Sequence, residues 1–326
     1  MSPSRRRLVA TLRIAVAVVI TAAVTWAVAR NWSAVSRDLA RVDPRALVGA
    51  LVLALVGPLL TMLGWRVLMA DLGSRLHVAP SAGIFFVGQL GKYLPGSVWS
   101  VLAQAEMGAS LSIPRRRSGV VGLVSIGLGV LTGLLVGLPA LSLLLGSSHA
   151  GSAWWLLLAV PLVVVACWPR ALNALVALGL RVLHREPLEH ELSGRAILVT
   201  VLLFIGSWLA FGLQTWILAR SVGGPGDAGS LTVAAVCGYA LAATIGQLAV
   251  IAPAGVGVRD SLLVFLLGSS MGSSAAVAVV LLSRFAITLG DVLLAGAGWA
   301  YARSHRLLSA HPSSLPAAEA SDHRIG

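Results

Sequence analysis

The sequence predicts an all-α integral membrane protein with about six full transmembrane helices and two broken or re-entrant helical hairpins in an inverted repeat. The first observation is composition: the 326 residues are 57% hydrophobic and 11% charged, with a mean hydropathy of +0.90, whereas an ordinary soluble domain is roughly 25% charged. The second is the recurrence of apolar stretches close to the roughly 20 residues that cross a bilayer. The third is a pair of apolar segments interrupted by proline and glycine.

Six apolar stretches are candidate spans: residues 8–29, 46–69, 118–145, 153–168, 196–219 and 275–301. The polar stretches between and after them, the longest at 169–195 and after 302, are too short to fold as separate domains. We therefore expect one polytopic membrane domain over residues 1–302 and a short, disordered cytoplasmic tail at 303–326. The first stretch also resembles a signal peptide, but in a polytopic chain we expect an uncleaved helix.

The orientation follows from the positive clusters Arg5–Arg7 and Arg115–Arg117, which the positive-inside rule assigns to the cytoplasm. We expect a multi-pass protein of the cytoplasmic (plasma) membrane with both termini cytoplasmic. Four arginines oppose this orientation because it places them outside: Arg30, Arg37, Arg41 and Arg45. The net charge of +12 lies in short loops, so we expect no nucleic-acid partner. The two cysteines and seven histidines show no ligand spacing, so no metal site or cofactor is predicted.

The interrupted segments are residues 81–109 and 231–268. In the first, residues 81–92 and 97–108 give two arms of about 18 Å as helix, which is less than the roughly 30 Å of a hydrocarbon core. Each arm is too short to cross, so a re-entrant hairpin is predicted, with Lys92 and Pro95 at its tip. The second segment breaks at Pro253, Gly255 and Gly257.

The two interrupted segments are related at one offset of 158 residues, at which five identities fall: Gly88, Gln89, Leu90, Pro95 and Val98 recur as Gly246, Gln247, Leu248, Pro253 and Val256. Three predicted crossings separate the segments, so the hairpins should enter from opposite faces. Many secondary transporters use such inverted broken helices and bind substrate where the repeats meet, near the midplane. The helix N-termini there favour an anion.

The segments GQLGKYLPGSVW (residues 88–99) and APAGVGVRDS (residues 252–261) resemble the two signatures of the lysylphosphatidylglycerol synthase transmembrane-region family, also called flippase-like. The second departs from the family pattern at Ala254 and Asp260, where glycine and glutamate are common. The resemblance runs from the first helix to about residue 301. In full-length aminoacyl-phosphatidylglycerol synthases a soluble aminoacyltransferase domain follows the membrane region. Here only about 25 residues follow residue 301, so the resemblance implies the membrane part without the synthase.

Ionisable groups within membrane segments are costly and commonly functional. Lys92 is the only lysine in the chain and needs a partner at its depth, either Glu106 or a lipid phosphate. Arg284 and Asp291 share one face of the last helix, where they form a polar stripe. The alternative to a functional role is that they form internal ion pairs with Asp260 or Glu106. The candidate substrate-binding residues are Gln89, Lys92, Tyr93, Pro95, Gly96, Glu106, Gln247, Pro253, Gly255, Arg259, Asp260, Arg284 and Asp291.

Two further patterns concern packing. Gly129, Gly133 and Gly137 have the small-xxx-small spacing of closely approaching helices, which we interpret as packing within the chain rather than dimerisation. Tryptophans near helix ends, Trp65 and Trp299 among them, predict an aromatic belt.

These observations favour a flippase-like protein that binds or translocates an anionic lipid or lipid-linked precursor in a midplane cavity. The expected partners are membrane lipids with an anionic headgroup; the other partners considered are a second copy of the chain and an envelope-biosynthesis protein. One alternative is a membrane-embedded lipid or polyprenyl-phosphate transferase, but the chain lacks DxD and HxxxD motifs, so we expect no enzymatic activity. The other is a non-transporting accessory subunit of envelope lipid or glycan assembly.

Overall fold

The computed structural model describes residues 42–93, 99–145, 159–182, 184–223, 227–249, 255 and 257–304, with isolated positions between 33 and 40. A 3₁₀ turn spans Leu90–Tyr93, and a π turn spans Val233–Cys237. The α-helices of the described part are α1 (Pro44–Asp71), α2 (Val78–Gln89), α3 (Trp99–Ala109), α4 (Arg115–Gly137), α5 (Leu141–Leu145), α6 (Ala159–Ala166), α7 (Pro169–Val182), α8 (Gly194–Val222), α9 (Ala228–Thr232), α10 (Gly238–Leu248), α11 (Val258–Met271) and α12 (Ser273–Ser304).

Within the described residues, five helical segments are long and apolar enough to cross a membrane. Four correspond to the spans predicted at residues 46–69, 118–145, 196–219 and 275–301, which confirms an all-α membrane protein. The predicted span at 8–29 and the tail beyond 304 lie outside the described residues, and residues 153–168 are described only from 159 onward. The five segments are Pro44–Asp71, Arg115–Leu144, Gly194–Val222, Ala228–Leu248 and Ser273–Ser304.

Helices α1 and α8 are antiparallel and define the two ends of the bundle. At one end the Asp71 carboxylate accepts hydrogen bonds from the Ser193 backbone N–H at 2.7 Å and from its hydroxyl at 2.8 Å. At the other, the Asp43 N–H donates to the Ser221 hydroxyl at 2.7 Å. Arg117 donates to the Ser74 hydroxyl, at 2.7 Å, so the cluster Arg115–Arg117 lies at the Asp71 end. We call this the basic end, and the Asp43 end the opposite end.

The first hairpin consists of α2 and α3. It starts just after α1 and leads into α4, and both of these connections lie at the basic end. Its arms of 12 and 11 residues are about 18 and 16 Å long, so neither crosses a bilayer. Arms of these lengths agree with the prediction of a re-entrant hairpin over residues 81–109.

The second hairpin consists of α9, α10 and the returning α11, and its outer ends are joined where the Ser270 hydroxyl donates to that of Ser230 at 3.3 Å. Because α8 ends and α12 begins there, this hairpin enters from the opposite end, as the inverted repeat predicts. Its first arm, Ala228–Leu248, is long enough to span by itself, which the sequence analysis did not anticipate. Thr244, four residues before the end of this arm, lies against Gly133 in the C-terminal third of α4, so the arm ends alongside α4 and not beyond it.

The repeat glycines have the same structural role in both hairpins. A Cβ built on Gly88 would lie 2.5 Å from Cγ of Gln104 on the returning arm, and one on Gly246 would lie 2.9 Å from Cβ of Arg259. Each glycine thus allows the two arms of its hairpin to touch. Gly255, next to Gly246, has φ +67°, a conformation that strongly favours glycine.

The predicted small-residue face of α4 packs within the chain. A Cβ on Gly133 would contact Thr244 and Trp208, and one on Gly137 would meet the Leu241 backbone. Gly129 instead offers its carbonyl to the Trp208 indole N–H at 3.1 Å. The interpretation of this spacing as packing is confirmed for Gly133 and Gly137.

The stretch at residues 169–195, noted only as polar in the sequence, contains a helix. This helix, α7, exposes Leu175, Leu178 and Val182. It is followed by a loop in which Glu186 and Glu189 pair with Arg116 and Arg117. The loop carboxylates therefore attach this region to the basic end.

Candidate functional site

Described residues of both hairpins and of α12 line one cavity of about 320 Å³. This volume is at the lower end of the range for small-molecule sites. Its lining comes from both hairpins and from α1, α4, α8 and α12. The sequence prediction of a cavity where the repeats meet matches this arrangement.

The first hairpin contributes a cation to the site. Lys92 Nζ lies 2.6 Å from Asp291 Oδ2, and the Tyr93 hydroxyl donates to the same oxygen at 2.6 Å. The Asp291 side chain is 8% exposed, whereas that of Lys92 is 34% exposed. Lys92 therefore has a protein partner and also remains accessible from the cavity.

Glu106 is not that partner, so of the two partners considered from the sequence the Glu106 alternative is absent from the structure. It lies on α3 at the basic end and accepts hydrogen bonds from Arg115 at 3.0 and 2.9 Å. Both side chains are more than half exposed. Glu106 is near the end of its helical arm, so its contacts are made at the surface rather than at the tip.

The second hairpin contributes an acid and a further cation. Asp260, in the first turn of α11, accepts from the Gly257 N–H at 3.3 Å, which caps this helix. Its carboxylate also accepts from Arg259 at 3.1 and 3.2 Å and pairs with Arg284 of α12. Arg259 lies over the Tyr239 ring, 5.9 Å from its centroid, within the range of a cation–π contact.

Each hairpin is thus attached to α12 by an ion pair, Lys92–Asp291 for the first and Asp260–Arg284 for the second. The internal pairing of Arg284 with Asp260, considered as an alternative from the sequence, is present. Among the described residues the site holds three cations (Lys92, Arg259, Arg284) and two carboxylates, which leaves one positive charge.

The structure brings most of the predicted site residues together. Asp260 does not line the cavity itself, but it pairs with Arg259 and Arg284, which do. Glu106 lies at the basic end, paired with Arg115. Pro95, Gly96 and Pro253 lie outside the described residues. The predicted residues that line the cavity are Gln89, Lys92, Tyr93, Gln247, Gly255, Arg259, Arg284 and Asp291.

Several lining residues were missed. Trp65 was expected in an aromatic belt, but it is 1% exposed and faces the cavity. The buried Nε1 of Trp65 and the Ser125 hydroxyl have no hydrogen-bond partner among the described atoms. Ser100 and Gln104 are four residues apart on α3, a polar stripe that could have been recognised. The aromatic wall consists of Trp65, Phe85, Phe204, Trp208, Phe211 and Tyr239.

The fold and the site define a class: a polytopic helical membrane protein in which two helical hairpins enter from opposite ends and together line a charged cavity. Residues 13–295 match the family described as lysylphosphatidylglycerol synthase TM region, and the chain belongs to that family. This confirms the resemblance of the segments at 88–99 and 252–261. A comparison with curated proteins gives no match.

Proposed function

We propose that the central cavity binds the headgroup of an anionic lipid or lipid-linked precursor and carries it between the two leaflets. The observation that carries this proposal is a cavity that is lined by residues of both hairpins and has one positive charge in excess. A phosphodiester headgroup has one negative charge and would balance it. Guanidinium groups match phosphate geometry with paired hydrogen bonds.

The remainder of the cavity supports an amphiphile rather than a free ion. The aromatic wall also lines this cavity, and its rings offer apolar surface with occasional hydrogen-bond donors such as Trp65 Nε1. A headgroup can contact the charged side while the first carbons of its chains contact the rings.

The two ion pairs suggest how binding is coupled to movement. A phosphate that contacts Lys92 competes with Asp291 for the ammonium group and weakens the attachment of the first hairpin to α12. Rocking of one repeat against the other would then change which end of the cavity is open. Such a shift requires that the lipid bind one conformation more tightly than the other.

We place the protein in the cytoplasmic membrane with the basic end and both termini in the cytoplasm, because short basic segments favour that side. Transport of this kind makes and breaks no covalent bond, so we propose a carrier without enzymatic activity whose partners are membrane lipids. Labelling of introduced cysteines tests the orientation: a cysteine at Glu186, which is exposed at the basic end, should react with a membrane-impermeant reagent only after the membrane is permeabilised.

The function is tested by leaflet exchange of fluorescent lipids in proteoliposomes. The double variant Lys92→Met/Asp291→Asn removes both charges of one ion pair, so no charge is stranded. We expect it to remain folded and to slow exchange of an anionic lipid about tenfold or more, equivalent to about 1.4 kcal/mol in the barrier. The matched control, Glu106→Gln/Arg115→Gln, removes an exposed pair at the basic end and should exchange normally.

Normal exchange by the folded Lys92/Asp291 variant would overturn the role of the cavity. Exchange by the wild-type protein no faster than in protein-free vesicles would overturn the carrier function itself. Release of a modified lipid by purified protein with a lipid acceptor would instead support the transferase alternative.

A further inference from the structure

A second cleft lies at the basic end, between the last turn of α1 and the first turn of α8. Its volume is about 460 Å³, and none of its lining residues lines the central cavity. Three arginines line it, Arg66, Arg75 and Arg195. Between them are aliphatic side chains, including Val67 and Val199.

The cleft is strongly cationic. Its one carboxylate, Asp71, already accepts from the Ser193 N–H and hydroxyl. Three guanidinium groups against one carboxylate leave two positive charges in excess. Within the described part of the chain, these three arginines form no ion pair.

This distinguishes them from the arginine cluster 115–117 at the same end. Arg115, Arg116 and Arg117 each pair with a glutamate of the chain. Arg66 donates its Nε–H to the Leu76 carbonyl at 2.7 Å, which fixes the side chain while its terminal nitrogens remain without a carboxylate. The cleft is therefore a place where positive charge is gathered and left unneutralised by the described residues.

Apolar surface continues from the cleft towards the interior of the membrane. On α8, Leu198, Val199 and Leu202 follow Arg195 at three, four and seven residues and so share its face; Leu198 is 58% and Leu202 59% exposed. On α1, the exposed Leu59 lies seven residues before Arg66, also deeper in the membrane. Both helices thus present cations at the basic end and lipid-facing aliphatic groups below them.

We propose that this cleft binds an anionic phospholipid of the adjacent leaflet, with its phosphate on Arg66, Arg75 and Arg195 and an acyl chain along Leu198 and Leu202. Basic pockets between transmembrane helices bind anionic headgroups in this way. The excess of two charges favours a diphosphatidyl lipid over a lipid with a single phosphate, and either over a zwitterionic lipid. The site is separate from the central cavity, and the proposal does not depend on transport.

The test is thermal unfolding of the purified, delipidated full chain in detergent with cardiolipin, phosphatidylglycerol or phosphatidylcholine added. We expect cardiolipin to raise the melting temperature by about 2–4 °C, phosphatidylglycerol to raise it less, and phosphatidylcholine to leave it unchanged. Arg75→Gln/Arg195→Gln changes two exposed arginines and should abolish the cardiolipin shift. Glycerol 3-phosphate, a headgroup without chains, should produce no shift.

Two controls separate this site from other cationic surfaces. Arg181→Gln/Arg185→Gln removes two exposed arginines near the same end and should retain the shift. Lys92→Met/Asp291→Asn alters the central cavity, so the shift that remains in this variant reports binding in the cleft. The single variant Arg195→Lys keeps the charge but loses the guanidinium fork, and should show a reduced shift.

A full cardiolipin shift in the Arg75/Arg195 variant would overturn the proposal, as would an equal shift with phosphatidylcholine. An equal shift with glycerol 3-phosphate would show a free-anion site and overturn the assignment to a lipid. Loss of the shift only in the Lys92/Asp291 variant would place the stabilising lipid in the central cavity instead.

Discussion

The two hairpins are related by the internal sequence repeat, but the charges with which they form ion pairs to α12 have opposite signs. The first presents a cation, Lys92, to an acid on α12, and the second presents an acid, Asp260, to a cation on α12. Asp260 is 10% exposed and also binds Arg259 and caps α11, whereas Lys92 is 34% exposed and has one carboxylate. The comparison indicates that the second hairpin is the more firmly fixed and that the first is the arm more easily released.

The largest expected effect is at Asp260. Asp260→Asn leaves the guanidinium groups of Arg259 and Arg284 without a carboxylate in a largely buried site. Breaking a buried ion pair from one side costs about 3–5 kcal/mol, so we expect a strongly lowered melting temperature in detergent. Asp227→Asn is the matched control, because Asp227 is an exposed N-cap and asparagine caps equally well. A melting temperature for Asp260→Asn equal to that of this control would contradict the assignment of the second hairpin as the fixed arm.

A smaller effect is expected at Asp291. Asp291→Asn strands Lys92, but this ammonium is partly exposed, so we expect a loss of about 2 kcal/mol, between the values for buried and exposed pairs. Adding Lys92→Met should restore much of the stability, because no charge is then left unpaired. Absence of such recovery in the double variant would argue against the ion pair. It would also overturn the conclusion that this pair attaches the first hairpin to α12.

The contact of the second hairpin with α4 gives a third prediction. Gly137→Ala would place a Cβ 2.8 Å from the Leu241 backbone, and overpacking of this kind, partly offset by the better helix propensity of alanine, should cost about 1 kcal/mol. Gly129→Ala on the same helix meets nothing within 4 Å and should be neutral or slightly stabilising. The two melting temperatures measured side by side check this, and their equality would mean that α10 can shift away from α4 without cost.

The smallest effect is expected at Glu106. Its ion pair with Arg115 is exposed on both sides, and such pairs contribute little. Glu106→Gln should leave both the melting temperature and leaflet exchange close to those of the wild type. A large loss of exchange would return Glu106 to the functional site and require a conformation in which it approaches Lys92.

The sequence by itself determined the class of fold and the approximate location of the site. Hydropathy depends on local composition, so the spans follow directly from it. The short arms around residues 81–109 and the shared glycines Gly88 and Gly246 are also local properties, and they were sufficient to predict inverted hairpins. Ionisable residues in apolar segments were sufficient to place Lys92, Arg284 and Asp291 near the site, because membrane burial of charge is costly wherever it occurs.

The tertiary structure alone decided which charges pair and which residues face inward. Lys92 and Asp291 are far apart in the chain, and no periodicity within either helix specifies that they meet rather than Lys92 and Glu106. Trp65 lies near a helix end, as a belt residue would, and only the packing around α1 turns it into the cavity. The depth of the arm ending at Leu248 was likewise set by contact with α4 and not by its length. Ion pairing and orientation depend on distances between elements, which the local sequence pattern does not contain.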